Sequence, residues 1–197
     1  MKFTSRLLAL LGSSLLVALP GAHAQQPGSP MYAVELIVFR VTSPSGNEDM
    51  SAVPPGRGFG NESTRGGGTP QVLRILPAAD YRLAGVDNTL RGSGAWRPIA
   101  HAAWIQTAAN WGTHVGIALG ELGINTPGLS GMVFLERATY LHLGLELTLN
   151  SGGINYTIKE MRSVKYNERQ YFDHPAFGVI AVVSPVNANS AAGAAAH

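Results

Sequence analysis

Side-chain catalysis needs groups that converge, and the reactive residues of this sequence are spread thinly along it. His101, His114, His142 and His174 stand in four separate stretches. None has the His-x-x-x-His or His-Glu-x-x-His spacing that sets two imidazoles on one helical face for zinc. His142 and Glu146 are four residues apart, but their segment alternates like a strand, where that spacing leaves about 13 Å between them. Glu136 and Glu146 share one face of the same segment. A single continuous strand would hold them about 30 Å apart, against the roughly 5–10 Å that glycoside hydrolysis requires. Gly128-Leu-Ser-Gly131 has the wrong register for a nucleophile elbow, and no glycine-rich phosphate loop follows a strand. The sequence therefore predicts no enzyme, no metal site and no cofactor.

Composition narrows the classes further. The 197 residues contain no cysteine, which excludes a disulfide scaffold, a thiolate metal site, a cysteine nucleophile and the acyl anchor of a lipoprotein. A 45% hydrophobic content supports a packed core, whereas charged residues reach only 13%. Lys2 and Arg6 account for the formal charge of +2; without them twelve basic residues face twelve acidic ones. That balance, with no run of three basic residues, predicts no nucleic-acid partner.

Met1–Arg6 is a short positive segment, Leu7–Leu19 is apolar, Pro20-Gly21 breaks it, and Ala22-His-Ala24 offers small residues for signal peptidase. This stretch of thirteen residues, diluted by Gly12, Ser13 and Ser14, is too short for a span of about 20 residues. The expectation is a cleaved export signal at 1–24, then a flexible lead-in at 25–30 and a single domain at 31–185. Residues 42–70, with seven glycines and four prolines, read as a mobile loop, and 186–197 as a disordered tail.

Within the domain, 32–40 is apolar and β-branched enough for a central strand. A short helix is expected at 78–91, strands at 97–107 and 113–119, and a turn at Asn110-Trp-Gly112. From Gly131 to Asn150 the odd positions are Val133, Leu135, Arg137, Thr139, Leu141, Leu143, Leu145, Leu147 and Leu149. This period of two predicts one long strand, bent at Gly144. Further strands are expected at 155–166 and 177–183. The fold class is α+β: a mainly antiparallel sheet of five to six strands with one short helix packed on it.

The even side of the long segment presents Phe134, Glu136, Tyr140 and His142. Aromatic faces stack on sugar rings, and carboxylate and imidazole groups bind their hydroxyls, so this comb suits a glycan or the edge of a partner protein. Alternatively the helix covers it and the tyrosine belongs to the core. Tyr171-Phe-Asp-His-Pro-Ala-Phe-Gly178 reads locally as a structural corner leading into the last strand.

Five pieces occur in one order: Val34-Glu-Leu-Ile-Val-Phe39, His101-x-x-Trp104-x-Gln106, Tyr140-Leu-His142, Met161-Arg-Ser163 and Tyr171-x-Asp-His-Pro-x-Phe-Gly178. The set resembles the CsiV family of periplasmic peptidoglycan-binding proteins of Gram-negative bacteria. It does so over the whole mature domain apart from 42–70 and the tails. The resemblance implies a non-enzymatic periplasmic role in wall assembly. The implied partners are peptidoglycan and an outer-membrane lipoprotein activator of a class A penicillin-binding protein. No ligand residue is carried over from the family. The candidate ligand-binding set comes from side-chain chemistry: Trp104, Tyr140, His142 and His174, the first two as stacking groups, with Glu136 and Arg162 as hydrogen-bonding groups. The alternative function is a periplasmic adaptor that adds a partner's strand to a sheet edge and ignores the wall.

Overall fold

A computed structural model describes residues 29–42 and 69–186. The export signal, most of the lead-in, nearly all of 42–70 and all but the first residue of the tail lie outside the described residues.

The chain runs β1 (Met31–Val41), β2 (Val72–Ile75), a 3-10 turn (Ala78–Asp80), α1 (Ala84–Gly92), β3 (Trp96–Thr107), β4 (Ala109–Asn110) and β5 (Ile117–Ala118). A second 3-10 turn (Leu119–Leu122) leads into β6 (Leu129–Arg137), β7 (Leu141–Ser151), β8 (Ile154–Val164), β9 (Arg169–His174) and β10 (Phe177–Val186). The first sheet has the order β2-β3-β1-β10-β9 and is antiparallel throughout. The second is the meander β6-β7-β8, with β4 and β5 both pairing with β6. The α+β class holds, but the architecture is two stacked sheets with ten strands, not one sheet of five or six.

The core lies between the sheets. Val34, Leu36 and Val38 of β1, Trp104 of β3, and Val179, Ala181 and Val183 of β10 meet Val133 and Leu135 of β6 and all five leucines of β7. Leu143, Leu145 and Leu147 have no exposed surface. β1 is buried on both sides, as its run, apolar apart from Glu35, predicts, because α1 covers its other face.

The expected long strand at 131–150 is instead a hairpin, with Glu136 opposite His142 and Met132 opposite Glu146. The connection is three residues, Ala138-Thr-Tyr140, so the inward-facing series stays on odd numbers through the reversal. It also lacks the glycine, proline or asparagine that marks most turns. Pairing passes unbroken through Gly144, with no register shift there. Glu136 and Glu146 are thereby offset by four residues across the hairpin, about 13 Å along the strands, rather than 30 Å. Gly131 permits the pairing: its φ is +134°, and a Cβ there would stand 2.0 Å from the Glu146 carbonyl oxygen.

The expected helix at 78–91 divides into the 3-10 turn and α1, separated at Tyr81–Leu83. The expected strand at 113–119 shrinks to two residues. Leu83, at the start of α1, supplies no side-chain cap. That role falls to Glu35 on β1, whose carboxylate accepts the backbone N–H of Arg82 (2.7 Å) and of Leu83 (2.8 Å). A carboxylate at a helix start satisfies orphan donors and opposes the positive end of the dipole. Its Oε1 also lies 2.8 Å from Nε2 of His101. Leu83 and Leu90 then pack on Ile37, Phe39 and Val182.

Replacing Glu35 with alanine strands these donors under the helix, and a loss of about 3 kcal/mol is expected. Glu35→Gln, which keeps one acceptor, should lose less. Urea unfolding of both variants checks this, and an unchanged midpoint for Glu35→Ala would refute the anchoring role.

Candidate functional site

The outer face of the second sheet is clear of α1, which packs on the first sheet. A row crosses this face from Glu136 on β6 through His142 on β7 to Ser163 on β8, each directly opposite the next. Further along, Glu146 pairs with Lys159 at 2.9 Å, Thr148 bonds Thr157, and Asn150 bonds Asn155. The face is thus lined with polar groups suited to hydroxyls and amides, and Met132 is exposed beside them.

After β3 the chain folds back across one end of this face. β4 runs parallel to Glu136 and Arg137, and the backbone N–H of Trp111 donates to the Arg137 carbonyl. Glu136 is fully buried, and its carboxylate accepts the backbone N–H of Gly112 (2.8 Å) and of His114 (2.6 Å). Gly116 lets the returning loop lie against Phe134, where a Cβ would come within 2.7 Å of the ring. Held at both points, the loop sets Trp111 over His142 with ring centroids 4.0 Å apart and planes tilted by 38°. The indole remains 49% exposed, a large aromatic face fixed at a surface. Beneath it, Nδ1 of His142 is buried with no hydrogen-bond partner among the described residues.

The six expected ligand residues part company here. Tyr140 and His142 lie together: Tyr140 is 69% exposed in the β6–β7 turn, and His142 lies two residues on, under Trp111. Neither is covered by the helix. Glu136 is in the same place, but it is fully buried and both its oxygens are engaged by the loop, so it holds the loop in position. Trp104 corrects more sharply. It is fully buried between the sheets and donates its indole N–H to Gln106, leaving no face for a sugar.

Arg162 points to the opposite side of the second sheet. Its Nη1 donates to the Tyr171 carbonyl at 3.0 Å, its Nη2 pairs with Glu160, and the guanidinium lies 4.4 Å from the centroid of Phe172. It ties β8 to β9 where the sheets share an edge. His174 is also interior, between Tyr156 and Phe177, and its Nδ1 accepts the N–H of Ala176 across the β9–β10 turn. The corner read into Tyr171–Gly178 is thus a hairpin turn stabilised by its own histidine.

Trp111 was absent from the expected set. A signal was available: an indole placed in a turn beside glycine is too large and apolar to be left in solvent, so it must rest on something.

These features define an α+β sandwich protein with a rigid aromatic platform on one sheet. The chain belongs to the CsiV family of peptidoglycan-binding proteins, whose model matches residues 3–186, nearly its whole length. No curated protein and no solved structure matches it. No helix among the described residues is long and apolar enough to cross a membrane.

Burial holds the pKa of His174 below its ordinary value of 6.5, with the neighbouring Asp173 acting in the opposite direction. The neutral ring is the form that accepts from Ala176. Between the folded value and 6.5 the unfolded chain binds more protons than the folded one. This contribution to stability is therefore complete above 6.5 and falls away as the pH drops towards the folded value. Unfolding midpoints measured from pH 7.5 down to pH 5 should decline for the natural chain. They should decline less for His174→Gln, which has no proton to gain; identical slopes would contradict the assignment.

Proposed function

We propose that the protein binds peptidoglycan without catalysis in the periplasm, where the segment 1–24 directs it, and assists wall synthesis there. In this reading it supports a class A penicillin-binding synthase and that enzyme's outer-membrane lipoprotein activator. The observation that carries the wall-binding part is the half-exposed Trp111 indole fixed on His142, within a family described as peptidoglycan-binding. An immobilised aromatic plane meets the apolar face of a pyranose at little entropic cost, because its side chain is already ordered. Tyr140 and the polar pairs of β7 and β8 extend the contact along the sheet. The partnership with the synthase follows from the family resemblance.

A second reading, the adaptor, draws on one feature. β2 is an edge strand of the first sheet, with Leu73 and Ile75 exposed, and it could accept a partner's strand.

Co-sedimentation with purified sacculi separates the two. The chain should pellet, and Trp111→Ala should weaken retention about five- to tenfold with its unfolding midpoint little changed. A chain that stays in the supernatant would favour the adaptor, release of soluble muropeptides would mean hydrolysis, and full retention of the Trp111 variant would remove the platform from the site.

A further inference from the structure

At the other end of the sandwich, about 23 Å along β7 from His142, the two sheets part around a cavity of 390 Å³. Arg40, near the end of β1, and Arg97, near the start of β3, stand directly opposite each other in the pairing of those strands, and both line this cavity. Like charges directly opposite on neighbouring strands repel. Among the described residues no carboxylate lines the cavity and neither arginine forms an ion pair. Nε of Arg40 is buried with no hydrogen-bond partner among the described residues. A desolvated guanidinium N–H without an acceptor is costly, and a second cation beside it adds to the cost.

Both costs are removed by one anion. Each guanidinium offers its donors as a planar fork, so two forks can share the two oxygens of a single carboxylate. The remaining walls specify what is attached to that carboxylate. Tyr156 and Ser151 bring hydroxyl-bearing side chains to the wall, suited to a neighbouring amide, while Leu149 and Ala176 add apolar residues suited to a methyl group. We propose that Arg40 and Arg97 form a clamp for the C-terminal carboxylate of a short peptide ending in alanine, the chemistry of a peptidoglycan stem peptide. The proposal takes its polymer from the wall-binding reading above and adds a second contact, which recognises peptide rather than sugar.

The probe is diacetyl-Lys-D-Ala-D-Ala as the free acid and as its C-terminal amide, titrated into the chain by calorimetry with inorganic phosphate as a competitor. The acid should bind and the amide should bind at least about tenfold more weakly. Arg97→Gln removes an exposed side chain and should leave folding intact. It should bring the acid down to the level of the amide. Arg40→Lys, which keeps the charge and loses the fork, should fall between. Equal binding of acid and amide, no binding of either, full affinity in Arg97→Gln, or displacement by phosphate at equal affinity would each overturn the clamp. Sacculus co-sedimentation of the same proteins keeps the two readings apart. Retention of the natural chain together with failure of the peptide arm defeats the clamp and leaves wall binding standing. Binding of the acid by a chain that ignores sacculi keeps the clamp and defeats wall binding.

Discussion

The row of leucines on β7 is the constraint that organises the molecule. Leu141, Leu143, Leu145, Leu147 and Leu149 are all buried, and they meet the inner faces of β1, β3 and β10. Burying one side of a strand so completely commits the opposite side to the outside, because successive side chains point in opposite directions. The core therefore determines which residues of the second sheet are available at a surface. The first sheet answers the same demand differently. Its far face is apolar too, and α1 is needed to cover Ile37, Phe39 and Val182.

Two buried glutamates solve a recurring problem in this fold. Glu35 and Glu136 both lie on strands and point away from the inter-sheet core. Each accepts two backbone N–H groups from chain that lacks a partner of its own, the start of α1 in one case and the 112–114 loop in the other. A carboxylate is suited to this work because several acceptor positions sit on one rigid group and its charge strengthens each bond. The aromatic platform thus owes its position to a residue that is itself buried beneath the loop. The sheet supplies His142, and Glu136 brings Trp111 to it.

Much of this was legible from residue order. β1, β3, β8 and β10 stand within one or two residues of the stretches that predicted them, except that β10 runs three residues longer at its end. The inward parity of 131–150 was also right. What alternation could not show was the reversal at Ala138–Tyr140, since a connection with an odd number of residues preserves parity and no conformationally special residue marks it. Counting strands failed for the same reason, and the second sheet went unseen with it. The placing of Tyr140 and His142 on the outer side of the second sheet was legible because outward parity implies exposure. Trp104 was misjudged because the exposure of an aromatic on β3 depends on which sheet covers it, a tertiary fact. Glu136 looked free from its own strand alone, whereas its partners arrive from a loop more than twenty residues earlier. Arg40 and Arg97 face one another only through the pairing of β1 with β3, and fifty-odd residues separate them in the chain.

A repetitive core carries its own hazard, and Gly131 answers it. With leucine at every second position of β7, sliding β6 by two residues would return apolar groups to the same side and sacrifice little burial. Yet Gly131, opposite Leu147, comes so near β7 that a Cβ there would sit 2.0 Å from the Glu146 oxygen. A slipped hairpin would bring Leu129 or Val133 to that spot, where a side chain would have to take up the positive φ that glycine adopts without cost. One missing methyl group thereby acts as a key cut for a single lock, rejecting the near-degenerate alignments that hydrophobicity alone would tolerate.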